Sequence, residues 1–297
     1  SKKTRDKIKQ AMAELNYQPN EIARSLSKKK SNIIGLIVPS ARNYFFCKIV
    51  DSIEQHTAAN GFKLLLCASN HEREKEIEYF RMLKANKVAG VIIASRTQNI
   101  GDSVIMDAPI ISIDRRVSED IPSVCSDNYN GGCLAARHLL QKGCRSIAYF
   151  SGSPALEGME AGNRLKGFET VLSEYGINPI VQELSEDRFI TMKYDDIIAS
   201  FFAEHQEIEG IFTSNDIIAA MIIKYCANNG MDIPQDVKLV GYDDIDMARL
   251  YTPSITTISQ PVDDMCRFAV ESIINFSSRP IPISTVFPVK LIEREST

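Results

Sequence analysis

The sequence predicts an α/β protein made of two doubly wound parallel-sheet subdomains, and three observations carry that expectation. Near-continuous apolar, β-branched runs recur along the chain, as strands buried on both faces require. They fall into two sets of four, opening near Ile33, Phe62, Val88 and Ile110, then near Ser146, Ile180, Gly210 and Lys238. The first three starts lie 29 and 26 residues apart and the second set is spaced by 34, 30 and 28, with helical patterns in the gaps. Two such sets imply a loose internal repeat.

Taken in order, residues 4–15 read as a helix, with Thr4 as a cap and Ile8, Met12 and Leu15 at helical spacing. The stretch Asn16 to Asn20 breaks it, and Asn20 can cap a short second helix, Glu21–Ser27, ahead of the basic run Lys28 to Lys30. In the body, Ile49/Ile53, Ile77/Phe80/Leu83, Leu165/Phe168/Leu172/Tyr175 and Ile218/Ile222/Tyr225 mark amphipathic helices between strands. After the second set come a strand at Ile255–Ser259, a helix from Pro261 to Asn275 and a last strand around Thr285–Leu291. Too little chain remains for a third domain, so these pieces complete the first two and the backbone crosses between them more than once. That makes a hinge with a cleft. The expected division is 1–30 as an N-terminal helical segment, 31–128 plus 261–287 as one subdomain, and 129–260 plus 288–297 as the other.

Composition narrows the class. With 44% hydrophobic and 24% charged residues among 297, disorder is excluded. No run of about 18 apolar residues predicts a transmembrane helix, and the N-terminal stretch lacks a secretory apolar core, which points to the cytoplasm and no membrane partner. The seven cysteines are scattered without CxxC spacing, so reduced core thiols are expected rather than disulfides or a zinc ribbon. The sequon at Asn275 carries no weight without a secretory route. Residues 1–30 hold nine Lys/Arg against Asp6, Glu14 and Glu21, a local +6 that leaves the rest of the chain at −10. A basic arm on an acidic body suits either a polyanion partner or a solvated terminal helix.

Ligands of open parallel sheets sit beyond the carboxyl ends of the strands. Those positions hold Asn43 with Phe45 and Phe46, Ser95, Asp114-Arg115-Arg116, Asn215-Asp216, Asp243-Asp244 and Gln260, while Arg164 falls in the first turn of a helix after a loop with Gly158 and Gly162. Carboxylates accept from hydroxyls, guanidinium donates a planar fork, and amides do both, so the set suits a neutral polyhydroxylated ligand whose C–H faces the Phe rings can cover. Singly, each has another reading: Asp and Asn after strands also cap helices, and Arg115 or Arg116 also suits a surface. The nucleotide-binding GxGxxG and GxxxxGK[ST] motifs and the GxSxG elbow are absent. The four histidines (56, 71, 138 and 205) show no HExxH spacing, so no metal is expected. Asp243-Asp244 could serve acid–base chemistry, but no second motif joins them. No catalytic residue and no cofactor are expected.

These residues resemble the LacI/GalR family of transcriptional regulators. The resemblance runs from Thr4 through Asn20, Ala23, Arg24 and Leu26 to Pro39. It continues through Asp114-Arg115, Ser126–Asn128, Asn163–Phe168, Ser214–Asp216, Val240–Ile245 and Thr256–Pro261. It implies a periplasmic-binding-protein-like body and a sugar pocket on Asn43, Phe45, Phe46, Asp114, Arg115, Arg164, Phe189, Asn215, Asp243 and Gln260. The pattern is most similar to ribose sites, although ribose-binding relatives place Asn where this chain has Ser95; other pentoses and hexoses such as fructose stay open. The resemblance further implies a hinge helix at Asn20–Ser27 that pairs in a homodimer and enters the minor groove of operator DNA. There Asn20, Ala23 and Arg24 lie beside Leu26, which either wedges between base steps or packs the hinge on the core. The base-reading helix would precede Ser1. The implied function is a sugar-controlled repressor rather than an enzyme; the alternative is a periplasmic-type sugar-binding transport receptor, which has no use for the basic arm.

Overall fold

The computed structural model describes residues 2–14, 31–95, 106–152 and 162–297. The expected helix Glu21–Ser27, with Asn20, Ala23, Arg24 and Leu26, lies outside them. Helix α1 spans Lys2–Glu14, so Thr4 sits inside its first turn and does not cap it. Apolar spacing marks the stripe a helix can bury, whereas its ends follow from backbone hydrogen bonding.

The first sheet contains β1 (Ile33–Val38), β2 (Lys63–Ala68), β3 (Gly90–Ile93), β4 (Ile110–Ile113), β5 (Ser123–Ser126) and β11 (Ser284–Phe287), in the order β11-β5-β4-β3-β1-β2. Helices α2 (Tyr44–Ala59), α3 (Arg73–Ala85) and α9 (Val262–Ile274) belong with it. The second sheet contains β6 (Ile147–Phe150), β7 (Ile180–Gln182), β8 (Gly210–Thr213), β9 (Lys238–Asp243), β10 (Thr256–Ser259) and β12 (Lys290–Ile292), in the order β12-β10-β9-β8-β6-β7. Its helices are α4 (Asn128–Gln141), α5 (Gly162–Ser173), α6 (Glu186–Thr191), α7 (Asp195–Glu204) and α8 (Asp216–Asn228). Relabelled within each half, the first five strands run 2-1-3-4-5 in both sheets, which gives the internal repeat a topological form. The strands pair in parallel except for β10 with β12.

Apolar clusters lie on both faces, as the continuous strands require. Ile37, Val91 and Ile93 of the first sheet meet Phe80 and Leu83 of α3. Tyr149, Phe212 and Val240 of the second meet Leu139 of α4 and Phe168 of α5. The largest cluster draws on both halves, including Leu36 of β1 with Phe45 and Phe46 of α2 from the first, and Ile211 of β8, Leu239 of β9 and Ile218 of α8 from the second. All seven cysteines are free thiols, six of them buried.

Two expectations about strands change. Strand β5, Ser-Val-Cys-Ser, has no apolar run and was not foreseen; its four residues are nonetheless buried, with Ser123 Oγ donating to the Ile283 carbonyl. The single last strand at 285–291 is two strands in different sheets, β11 beside β5 and β12 beside β10. Pro288 separates them, because a residue without N–H cannot extend the ladder. The chain thus crosses between sheets three times, after β5, β10 and β11. Ser126 Oγ, leaving the first sheet, donates to Gln260 Oε1 at 2.6 Å, beside the second crossing.

Helices α4 and α5 approach backbone to backbone. A Cβ on Gly132 would lie 1.9 Å from the Arg164 carbonyl oxygen, and one on Gly167 would lie 1.9 Å from that of Tyr129. This contact holds the start of α5 against the start of α4. Either Gly132→Ala or Gly167→Ala should destabilise the fold by about 1–3 kcal/mol, since neither backbone can yield without moving a packed helix. Urea unfolding measures this directly, and a wild-type midpoint for both variants would contradict the contact.

Candidate functional site

The strand ends carry polar groups because the backbone there leaves the ladder. Asp114 follows β4 with φ +74°, and Asp243 and Asp244 close β9 with φ +102° and +51°. Asp is among the few non-glycine residues that enter this left-handed region at modest cost. The conformation ends each strand sharply, and Asp114 and Asp243 are each 7% exposed.

Arg164 is held by groups of the second half. It stands in the first turn of α5, 7% exposed, with Nε donating to Asn128 Oδ1 at 2.7 Å and Nη1 to the Ser214 carbonyl at 2.7 Å. Its guanidinium carbon lies 3.6 Å from the centre of the Tyr242 ring, a cation–π stack. The Tyr242 hydroxyl donates to the same Asn128 Oδ1 at 3.1 Å, and Asn128 Nδ2 donates to the Ser126 carbonyl at 3.0 Å. Burial opposes the Arg164 charge, but Tyr242, Asp243 and Asp114 outweigh it and hold its pKa above the ordinary arginine value. A buried cation needs such partners, because desolvation alone costs several kcal/mol.

Asp243 faces the opposite balance. Desolvation raises its pKa from 3.8 to about 7, with Asp114 adding repulsion, while Arg164, the Gln260 amide and Lys48 pull it down. Gln260 Nε2 donates to Asp243 Oδ1 at 2.7 Å. Asp114 also pairs with Arg115, whose Nη2 stands 3.2 Å from Asp114 Oδ2, both side chains being buried. Charges from the first sheet (Asp114, Arg115) and the second (Arg164, Asp243) therefore share one electrostatic neighbourhood. Ser214 Oγ, buried beside them, has no hydrogen-bond partner among the described residues.

The remaining expected positions divide. Asn43 and Asn215 are N-caps: Asn43 Oδ1 accepts from Phe45 N at 2.9 Å and Asn215 Oδ1 from Ile218 N at 3.0 Å. Phe45 and Phe46 form an edge-to-face pair with centroids 5.6 Å apart within the main core. Ser95, fully buried after β3, donates to both oxygens of Glu76 at 2.8 and 2.7 Å, so its hydroxyl is committed to that carboxylate. Phe189 is half-buried on α6, its carbonyl accepting from the Tyr194 hydroxyl. Arg116 is exposed and donates to the carbonyls of Ser118 and Glu119.

Sequence reasoning assigned no role to Asn128, Ser214 or Tyr242, although each lies in a motif it singled out: Ser126–Asn128, Ser214–Asp216 and Val240–Ile245. It also missed the work of Asp216. Fully buried, Asp216 accepts from Thr257 Oγ1 at 2.6 Å and from Ile245 N at 2.9 Å, which pins the turn after β9. Burial and the nearby Asp243 push its pKa well up. Among the described residues, no group of His, Cys, Asp and Glu is arranged to hold a metal ion, and no helix is long and apolar enough to cross a membrane.

Known proteins share this arrangement. The profile of the periplasmic binding protein-like domain matches residues 136–297. The ribose operon repressor of Halalkalibacterium halodurans is 35% identical over 100% of this chain and 89% of its own length. The sucrose operon repressor of Streptococcus mutans is 33% identical over 100% of this chain and 91% of its own. Among solved structures, a periplasmic binding protein/LacI transcriptional regulator from Alkaliphilus metalliredigens, complexed with D-xylulofuranose, superposes with a TM-score of 0.77 at 33% identity. That match covers 90% of this chain and 99% of that one. With two sheets that repeat one topology and this likeness along its whole length, the chain belongs to the LacI/GalR family of sugar-responsive transcriptional repressors.

Proposed function

We propose that this chain represses transcription as a cytoplasmic homodimer whose affinity for operator DNA is set by a small sugar, ribose or a related pentose or hexose, held between the two sheets. The lobes of this reading are 31–128 with 261–287 and 129–260 with 288–297, preceded by the basic segment 1–30 that contacts DNA. One observation carries it: Asp114 of the first sheet, paired with Arg115, acts electrostatically on both Arg164 and Asp243 of the second, and Asp243 accepts from Gln260, all of them buried. Arg164 uses two of its N–H groups on Asn128 and Ser214, and the rest of the fork suits adjacent sugar hydroxyls. Asp114 and Asp243 accept from hydroxyls, and Ser214 Oγ offers one more polar contact. Asn43, Phe45, Phe46, Phe189 and Asn215 complete the pocket as positions around it, whereas Ser95 spends its hydroxyl on Glu76 and contributes no ligand contact. The ribose and sucrose names of the relatives and the D-xylulofuranose of the similar regulator support a sugar effector.

The mechanism is linkage. A sugar that bridges both lobes stabilises the arrangement in which they meet, and any shift in the first lobe is passed to the DNA-contacting segment. A ligand that bound both arrangements equally would change nothing; couplings of this kind amount to roughly 1–3 kcal/mol.

Calorimetric titration with ribose, xylulose, fructose and sucrose tests the reading: at least one should bind, and binding of none would end it. Arg164→Lys, which keeps the charge but loses the planar fork, should weaken that sugar by roughly 30-fold or more. Affinity should also depend on pH with a definite sign. Asp243 is protonated below about pH 7 and ionised above it, and the ionised form is the better acceptor for hydroxyls. Affinity should therefore climb as pH rises through 7 and then level off, while Asp243→Asn should bind more weakly with a flat profile between pH 6 and 8.

A further inference from the structure

The cleft is spanned at a second place, away from the charged cluster's own pairs. Lys48, half-buried on α2 of the first lobe, extends its ammonium to the second lobe, where Nζ donates to the Asp244 carbonyl at 3.0 Å. The two residues are 196 positions apart in sequence. The acceptor is prepared for this bond. Because Asp243 and Asp244 both have positive φ, the Asp244 carbonyl leaves the β9 ladder and is available to a donor from outside the sheet. The Asp244 carboxylate is fixed from behind by Arg294, whose Nη2 lies 2.6 Å from Asp244 Oδ1 and whose Nη1 donates to the Ile255 carbonyl at 2.8 Å. On the other side of the same turn, Ile245 N is held by Asp216. The turn is therefore braced at both flanks, and only the Lys48 end belongs to the other lobe.

We infer that Lys48 is a positioning residue that latches the two lobes together through the Asp244 carbonyl and so sets how readily the cleft closes on its ligand. A charge-assisted hydrogen bond to a fixed carbonyl favours one lobe arrangement over any in which the lobes part, because separation returns the ammonium to water. The latch acts through α2, which Asn43 caps and whose first turn carries Phe45 and Phe46. Its donor also lies close enough to Asp243 to draw that group's pKa down, so latch and ligand carboxylate are neighbours. For its effect on ligand affinity, this inference rests on the sugar-binding reading above; for lobe closure it stands on the geometry alone.

Lys48→Met removes the ammonium and keeps the stem, and Lys48→Arg restores a cationic donor. Two measurements separate the possibilities: small-angle scattering of each variant with and without ribose, and calorimetric affinity for whichever sugar of the panel binds. Lys48→Met should shift the scattering profile toward a more open particle and weaken the sugar by about tenfold, and Lys48→Arg should recover most of both. If Lys48→Met closes like the wild type, the latch is overturned, even where affinity falls, because Lys48 would then act only through its charge near Asp243. If no sugar binds the wild type, the functional reading fails, while the scattering comparison still decides the latch.

Discussion

A guanidinium enclosed by protein is the constraint around which the cleft is organised. Arg164 is almost wholly removed from solvent, and an uncompensated charge there would cost more than a small domain can spare. Its partners come from separate parts of the chain: Asn128 at the start of α4, the Ser214 carbonyl after β8, the Tyr242 face within β9, and the charges of Asp243 and Asp114. Satisfying one side chain thus fixes the relative placement of α4, α5, β8 and β9. The direct contact of α4 and α5 at Gly132 and Gly167 belongs to the same requirement, since a wider spacing would carry Arg164 away from Asn128.

The three crossings make this arrangement responsive. Each half has its own sheet and helices, so each can move as a unit, while Ser126, Gln260 and the segment between β11 and β12 tie the halves at the hinge. Groups that must meet for charge balance are divided between the halves. From the first half, Asp114 raises the Asp243 pKa and Lys48 lowers it, so the protonation of Asp243 depends on groups of the other half. The scaffold alone would serve a transport receptor equally well; the family likeness along the entire chain is what separates the two.

Polar residues near the strand ends have visible structural work. Asn43 and Asn215 spend an oxygen on capping helices yet stand at the ends of β1 and β8. Asp216 never reaches the cleft but holds the turn that presents Asp243 and Asp244. Ser95 and Glu76 form a buried pair behind β3, with Ser69 donating to the same carboxylate at 3.1 Å. The choice between capping and binding, which each residue poses in isolation, therefore does not divide them cleanly.

Periodicity alone determined the two sheets, the alternation with helices and the approximate strand positions, because strands buried on both faces must be apolar along their length. It also placed the chemistry-bearing residues at strand ends, since a parallel sheet puts its carboxyl ends on one side. Strand β5 escaped this logic: its serines are buried by hydrogen bonding rather than by apolarity. Reading 285–291 as a single strand missed that it is two, although the expected boundary at 287/288 falls between them, because which sheet a short strand joins depends on the partner edge left free. Asn128, Tyr242, Lys48 and Arg294 became visible only in three dimensions, for the same reason. Their roles lie in contacts between segments far apart in the chain, and local sequence holds no record of which distant atoms a fold will bring within hydrogen-bonding distance.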